Sequence, residues 1–505
     1  MANDSNSLLN KVIPGIFRKN KHIVQKNGNS NKIIENNNII NNNSNSNSNN
    51  INKFNEDIND LDILLDNAKK CEKDLKKYTI EKIENIIRAI YLKGMEHSEE
   101  LANMAVEETG IGVAKHKIIK NQFSSKYIYE HISGIKTMGV ISEDPVSGIT
   151  QIAEPVGTVL AIIPATNPTS TVLFKTLISL KTRNPIIISP PKRAKKTCSY
   201  LVDIIYKEAI KAGAPKNCIQ CVEEPNRDRI NYLMRDKRIG MILATGGTSL
   251  VNAAYSSGNP AIGVGPGNTP VYIDKNYNID NAVKDIVLSK TFDNGTICAS
   301  EQSIVVEEDI YEEVINCLEN NNSYIIPDEE LAKIEKVVYD DERKGMSPDI
   351  VGKSAKYIAE KANIEIPENT KMLVAKQKHV GKDYPLSGEI LAPIIALYNV
   401  KNFEEALNLC EKLVDNGGRG HTASIFSDDD EKILEYGKRM EVTRTIVNAP
   451  SSLAAIGGLY NELPPSLTLG CGTMGNNIMS ENISVKHLIN IKYIAKTIYR
   501  PELEL

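Results

Sequence analysis

Strands alternating with helices over residues 156–274 predict an α/β fold with a parallel sheet covered on both faces. Three observations carry the prediction. Short runs rich in Ile, Val and Leu recur at 159–163, 185–189, 219–222 and 239–244, each of strand length and apolar on both faces. Residues 171–180 and 198–212, lying between them, have the length and pattern of covering helices. The first, second and fourth runs lead into segments rich in Gly, Pro, Asn or Lys, and ligands of open parallel sheets lie beyond those carboxyl ends.

The chain has 505 residues, enough for two or three domains. Residues 1–55 read apart from the rest. From Asn27 to Asn55 asparagine and serine dominate; such a tract buries too little apolar surface to offset its chain entropy and is expected to be disordered. Ahead of it, Leu8, Leu9, Val12, Ile13, Ile16 and Phe17 recur at helical spacing beside Lys11, Arg18, Lys19 and Lys21. Residues 1–25 thus read as an amphipathic docking helix, interrupted at Pro14, with a dispensable tail as the alternative. Order is expected from about residue 56. Ile58, Leu61, Leu64, Leu65 and Ala68, then Ile80, Ile83, Ile86, Ile87 and Ile90, mark helices. Gly110 and Gly112 break a pattern that resumes at 115–131, and 136–155 alternates like a hairpin.

Composition excludes several classes. The net charge of −4 provides no basic field for nucleic acid. No apolar run reaches the roughly 18 residues of a membrane span, and no secretory signal core is present. Eight cysteines in a chain of this length fit a reducing cytoplasm rather than a disulfide framework. No metal-binding motif occurs. Cys218 and Cys221 form a C-x-x-C, but the alternation around them reads as a strand.

Chemistry-bearing residues cluster at the ends of the expected strands. Asn167, restrained by Pro168, can donate to an oxyanion. Lys192, Lys195 and Lys196 put cations at a helix start, where they oppose the helix dipole and favour an anionic ligand over mere solvation. Thr245, Gly246 and Gly247 let backbone N–H groups approach a pyrophosphate. Gly263, Gly265 and Gly267 mark a tight bend or a close ligand. Cys298 sits among small and polar residues; most free cysteines are structural, but a thiolate here has room to meet a carbon atom. Glu301 reads as a helix-start carboxylate rather than a base. Further on come Glu389 and, behind a glycine cluster, His421.

From about residue 56 onward these motifs resemble the coenzyme-A-acylating aldehyde dehydrogenases, above all the N-terminal half of the bifunctional aldehyde–alcohol dehydrogenases. The carrying segments are Ala-Thr-Asn-Pro-Thr-Ser-Thr at 165–171, Leu-Ile-Ser-Leu-Lys-Thr-Arg-Asn at 177–184, the stretch 254–265, the stretch 290–303 and Ser-Leu-Thr-Leu-Gly-Cys-Gly at 466–472. Succinate-semialdehyde dehydrogenases that form succinyl-CoA share many of them. The resemblance implies the aldehyde dehydrogenase fold: a Rossmann-like cofactor domain, a catalytic α/β domain and a small oligomerisation element. It divides the chain into a tail at 1–55, an NAD-binding domain at 56–290 with the 136–155 hairpin inserted, a catalytic domain at 291–470 and a C-terminal return at 471–505. The hairpin and the tail near 484–499 would build the oligomerisation element of a dimer or tetramer. The resemblance makes Cys298 the nucleophile, Asn167 the oxyanion donor and His421 a helper of thiol chemistry. It places Lys192, Thr245, Gly246, Gly247, Gly265 and Glu389 around the cofactor.

Two departures from hydrolytic relatives matter. Their general-base glutamate has no counterpart in Gly-Val-Gly-Pro-Gly-Asn-Thr-Pro at 263–270, so the acyl-enzyme should wait for a thiol, coenzyme A. Lys195 stands where a ribose-binding glutamate is common, so NAD is expected and NADP stays open. The expected reaction is reversible conversion of a short aldehyde, acetaldehyde first, to acyl-CoA. The alternatives are succinate semialdehyde as substrate and, in another class, a non-catalytic assembly subunit. The expected location is the cytoplasm, or a bacterial microcompartment if residues 1–25 dock to a shell or scaffold.

Overall fold

Helix formation begins where apolar periodicity begins. The computed structural model describes residues 44–501, with side chains from Ile58 onward. A helix covers Ser44–Leu75 and buries Leu61, Leu65, Ala68 and Leu75 completely. Residues 44–55 were expected to be disordered but are helical backbone, because extending a formed helix costs far less than nucleating one. The proposed docking segment at 1–25 lies outside the described residues. The next helix, Ile80–Glu96, is capped by the Thr79 hydroxyl, which accepts from the Lys82 N–H, and buries Ile83, Ile86, Ile87 and Ile90.

The first sheet is five-stranded, in the order Ile219–Cys221, Ile186–Ser189, Thr158–Ile162, Ile239–Thr245, Ala261–Val264, and every pairing is parallel. Its helix Pro168–Lys181 is buried along its whole length. The strand-and-helix reading of 156–244 therefore holds. The second sheet has seven strands, all parallel, in the order Ser323–Ile325, Met372–Lys376, Ile394–Val400, Glu301–Glu307, Thr269–Ile273, Ala423–Phe426, Thr445–Val447. Thr269–Ile273 belongs here, so the two sheets divide between Val264 and Thr269 and not at 290. A buried parallel strand carries no mark of which sheet it joins, which is why the expected boundary was misplaced.

A third, antiparallel sheet pairs Ile149–Pro155 with Gly139–Asp144 on one side and Ile489–Ala495 on the other. The hairpin and the C-terminal segment thus come together as expected. Asn184 ties this sheet to the first. Its Oδ1 accepts from the Gly157 N–H at 2.9 Å, and its Nδ2 donates to the Leu488 carbonyl at 2.8 Å and to Thr182 Oγ1 at 2.7 Å.

Asn184→Ala strands a buried N–H and a buried carbonyl, each worth about 1–3 kcal/mol. The substitution should lower the urea midpoint of unfolding by a matching amount, and Asn184→Asp should lower it at least as much, because a buried carboxylate sets acceptor against the Leu488 carbonyl.

Candidate active site

Four loops that enter adjacent strands of the second sheet carry the reactive groups. Glu389 precedes Ile394–Val400, Cys298 precedes Glu301–Glu307, Gly267 precedes Thr269–Ile273, and His421 precedes Ala423–Phe426. Asn167, Lys192, Gly246 and Gly265 instead leave the carboxyl ends of first-sheet strands.

His421 Nε2 lies 3.1 Å from Cys298 Sγ, and His421 Nδ1 lies 2.9 Å from Thr422 Oγ1. Burial pushes the Cys298 thiol up to about 12; Glu389 and Cys471 add to the rise and Arg444 opposes it. Burial, with the Arg444 cation beside it, takes His421 down to about 3. The resting pair is therefore neutral. Arg444 donates to the His421 carbonyl at 2.9 Å and to the Gly470 carbonyl, which fixes the His421 loop. Gly267 is required by close approach: a Cβ there would lie 2.5 Å from the Cys298 carbonyl oxygen and 2.9 Å from the His421 ring. Gly420 adopts φ +79°, and a Cβ on it would collide with the Cys471 carbonyl.

Cys298 opens on a cavity of about 50 Å³ lined by Lys120, Asn167, Phe292, Ile297, Leu453 and Ile456, among others. Among the described residues no carboxylate lines it. Asn167 caps the Pro168–Lys181 helix. Its Oδ1 accepts from Lys120 Nζ at 2.6 Å. Lys120 also donates to Asp293 Oδ2 at 2.5 Å and to Thr296 Oγ1 at 3.0 Å. Lys117 donates to Asp293 at 2.9 Å. Burial alone would raise Asp293, but Lys120 and Lys117 hold its carboxyl at about 2. Sequence reasoning missed this cluster. Lysines three apart on a helix usually face solvent, and nothing local marks the carboxylate that pulls them inward.

Two of the expected cofactor residues, Lys192 and Glu389, line two larger cavities. Lys192 lines one of about 740 Å³ with Pro190, Pro191, Glu224, Ser249 and Leu250, at the carboxyl ends of the first sheet. Lys195 pairs with Glu224 at its rim. Thr245 leads through Gly246 to Gly247, the N-cap of helix Thr248–Tyr255, and the buried Thr245 hydroxyl has no partner. A Cβ at Gly247 or Gly265 would meet nothing within 4 Å. Glu389 lines the other cavity, of about 680 Å³, with Pro266 and Met346, and accepts from the Gly267 N–H at 2.9 Å. Burial raises the Glu389 carboxyl to about 7, against the pull of that N–H and of Lys290. The structure therefore brings Cys298, His421 and Asn167 together, sets Glu389 in the neighbouring cavity against the Gly267 loop, and keeps Lys192, Thr245, Gly246 and Gly247 on the first sheet. Glu301 corrects an expectation: it opens a strand, not a helix, and its buried Oε1 accepts the Ser451 N–H at 2.8 Å.

Comparison with known proteins agrees with this geometry. The aldehyde dehydrogenase family model matches residues 34–459. The bifunctional aldehyde-alcohol dehydrogenase of Escherichia coli is 45% identical over 443 residues, covering 87% of this chain and 50% of that one. This chain thus spans about half the length of its bifunctional relatives. The succinate-semialdehyde dehydrogenase (acetylating) of Clostridium kluyveri is 38% identical over 85% of this chain and 94% of its own. An acetylating aldehyde dehydrogenase structure from Geobacillus thermoglucosidasius superposes with a TM-score of 0.87 at 44% identity, covering 89% of this chain and 99% of that one. By fold, site and sequence, the chain belongs to the aldehyde dehydrogenase family.

Proposed function

We propose that the chain converts a short aldehyde, acetaldehyde first, and coenzyme A to an acyl-CoA through a thioester on Cys298, with NAD taking the hydride. The observation that carries this reading is His421 in contact with the Cys298 sulfur beside a largely apolar cavity that, among the described residues, no carboxylate lines.

The residues present fit a dinucleotide: a roomy cavity at the carboxyl ends of the first sheet, the unpartnered Thr245 hydroxyl, and Glu389 at the opposite cavity. A nicotinamide held there by Lys192, the Thr245–Gly247 turn and Glu389 would supply the hydride acceptor for the reacting carbon. His421 takes the Cys298 proton as sulfur bonds to the aldehyde carbon. Asn167 Nδ2 and the Cys298 N–H receive the oxyanion, a contribution of roughly 3–4 kcal/mol per donor. Loss of hydride leaves the thioester. His421, once it has released that proton to solvent, accepts the proton of the incoming coenzyme A thiol as the new sulfur bonds to the acyl carbon, and returns it to the departing Cys298 sulfur.

The small apolar cavity favours a chain of few carbons. Succinate semialdehyde is the second reading, because one cation, Lys120, does line the cavity. An ammonium has three hydrogens, and Asn167, Asp293 and Thr296 take all of Lys120's, so none is left for a substrate carboxylate. Glu224 supports NAD over NADP: it neutralises Lys195 and lines the nucleotide cavity, so a 2′-phosphate there would meet a carboxylate. The third sheet is the proposed contact of a dimer or tetramer, and its outer strand exposes Ile491, Tyr493 and Ile494. Among the described residues no helix is long and apolar enough to cross a membrane. We place the enzyme in the cytoplasm or a microcompartment.

Three outcomes test this reading. NADH formation from acetaldehyde should depend on coenzyme A after the first turnover and vanish in Cys298→Ala; equal steady rates without coenzyme A would overturn acyl transfer. With the thiol at about 12 and His421 at about 3, thiolate grows as pH rises. Iodoacetamide inactivation of the free enzyme should therefore quicken about tenfold per unit between about pH 6 and 8, without a plateau. Glu224→Gln should raise the NADP-to-NAD ratio of kcat/KM by about tenfold; an unchanged ratio removes Glu224 from cofactor choice.

A further inference from the structure

An oxyanion donor is useful only if its N–H faces the reacting oxygen. A primary amide is nearly symmetric in shape, so Asn167 can present either its NH₂ or its carbonyl to the aldehyde. In the wrong orientation it would repel the developing negative charge. The rest of the cavity wall near it is largely apolar and cannot choose between the two. Lysine can, because an ammonium only donates.

Resting on the acylating aldehyde dehydrogenase reading above, we propose that Lys120 is a positioning residue for the reaction: it fixes the Asn167 amide with its NH₂ toward the aldehyde oxygen and, with Lys117 and Asp293, places a buried net positive charge behind that amide. Lys120 Nζ faces Asn167 Oδ1 at 2.6 Å. Asn167 Nδ2 then has one protein partner, Thr166 Oγ1 at 3.3 Å, which leaves its second hydrogen for substrate. Turning the amide would set donor against donor. The other Lys120 hydrogens are held by Asp293 and Thr296, and the Thr296 hydroxyl donates onward to Asp293 at 2.7 Å, so its oxygen is free to accept. Asp293 also accepts from Lys117 and, at 2.7 Å, from the Val113 N–H. The ammonium is thus held by two groups besides the amide it orients.

Charge adds to orientation. Lys117 is 1% exposed, Lys120 5% and Asp293 0%, so two ammonium groups share one carboxylate away from water. Burial lowers Lys120 to about 8 while Asp293 pulls it up, which leaves it mainly charged at neutral pH. A cation on the amide oxygen polarises the amide and makes its N–H a stronger donor. The backbone shows how the lysine reaches this place. The helix Ala114–Gln122 passes into a π-helical turn at Phe123–Tyr127, and Lys120 and Phe123 line the cavity from its two sides of that junction. Such turns are frequent at functional sites.

The test is a double-mutant cycle on the full chain, read as the rate of the first-turnover NADH burst with acetaldehyde. Lys120→Met leaves Asp293 paired with Lys117, and a thermal melt confirms folding. The burst should slow by about 10- to 100-fold, with the KM for NAD unchanged. In the Asn167→Ala background the same change should cost less than about twofold, since its target is gone. Lys120→Gln, which can still donate to Oδ1 without charge, should fall between wild type and Lys120→Met; if Lys120→Met does not fold, the cycle is read with Lys120→Gln. Full additivity with Asn167→Ala, or an unchanged burst, overturns the proposal. So does a selective loss of succinate semialdehyde turnover with acetaldehyde intact, which would make Lys120 a substrate anchor. Absence of acyl-CoA from the wild-type reaction would instead overturn the acylating reading itself.

Discussion

The sulfur of Cys298 has to shed its proton in a part of the molecule where charge is costly. Burial that raises the thiol also strips His421 of its proton, so the resting state is a neutral pair joined at 3.1 Å. The rest of the site follows from that cost. Donors in a low-dielectric place are strong, so the proposed oxyanion site needs only the Asn167 amide and a backbone N–H. Among the described residues no carboxylate lines the cavity. Two parallel sheets create these conditions: loops from the amino ends of one carry the reacting groups, and loops from the carboxyl ends of the other carry Asn167 and the nucleotide cavity.

Buried ammonium groups recur as a structural device. Lys175, fully buried, donates to the carbonyls of Ile162 and Leu243, at and near the carboxyl ends of two neighbouring strands of the first sheet. Lys290 donates to Gln302 and to the Ile390 carbonyl. Burial lowers both to about 7, and neither donates to a carboxylate. They satisfy backbone oxygens at the points where the chain leaves regular structure, and so stiffen the loops that carry Asn167 and Glu389.

Much of this was legible from the sequence. Strands of the first sheet announce themselves because burial on both faces leaves unbroken apolar runs, and Asn167, Cys298 and His421 are marked by the proline, small residues and glycines around them. What stayed hidden is pairing across distance. Lys120 and Asp293 are 173 positions apart, and neither has a local pattern that points to the other. The allegiance of Thr269–Ile273 to the second sheet, the strand position of Glu301 and the grip of Arg444 on the His421 loop are hidden for the same reason. Periodicity reports which face is buried but not against what.

The pairing of Ile489–Ala495 with Ile149–Pro155 joins segments that emerge from the ribosome far apart in time, as with Asn490 and Pro155, 335 positions apart. Strand Ile149–Pro155 therefore waits with one edge unpaired until residues 489–495 emerge, and Asn184 waits for the Leu488 carbonyl. Nascent chains paused in that interval expose a free β-edge. Two such chains on neighbouring ribosomes can find each other there before either is complete, or pair wrongly unless a chaperone covers the edge.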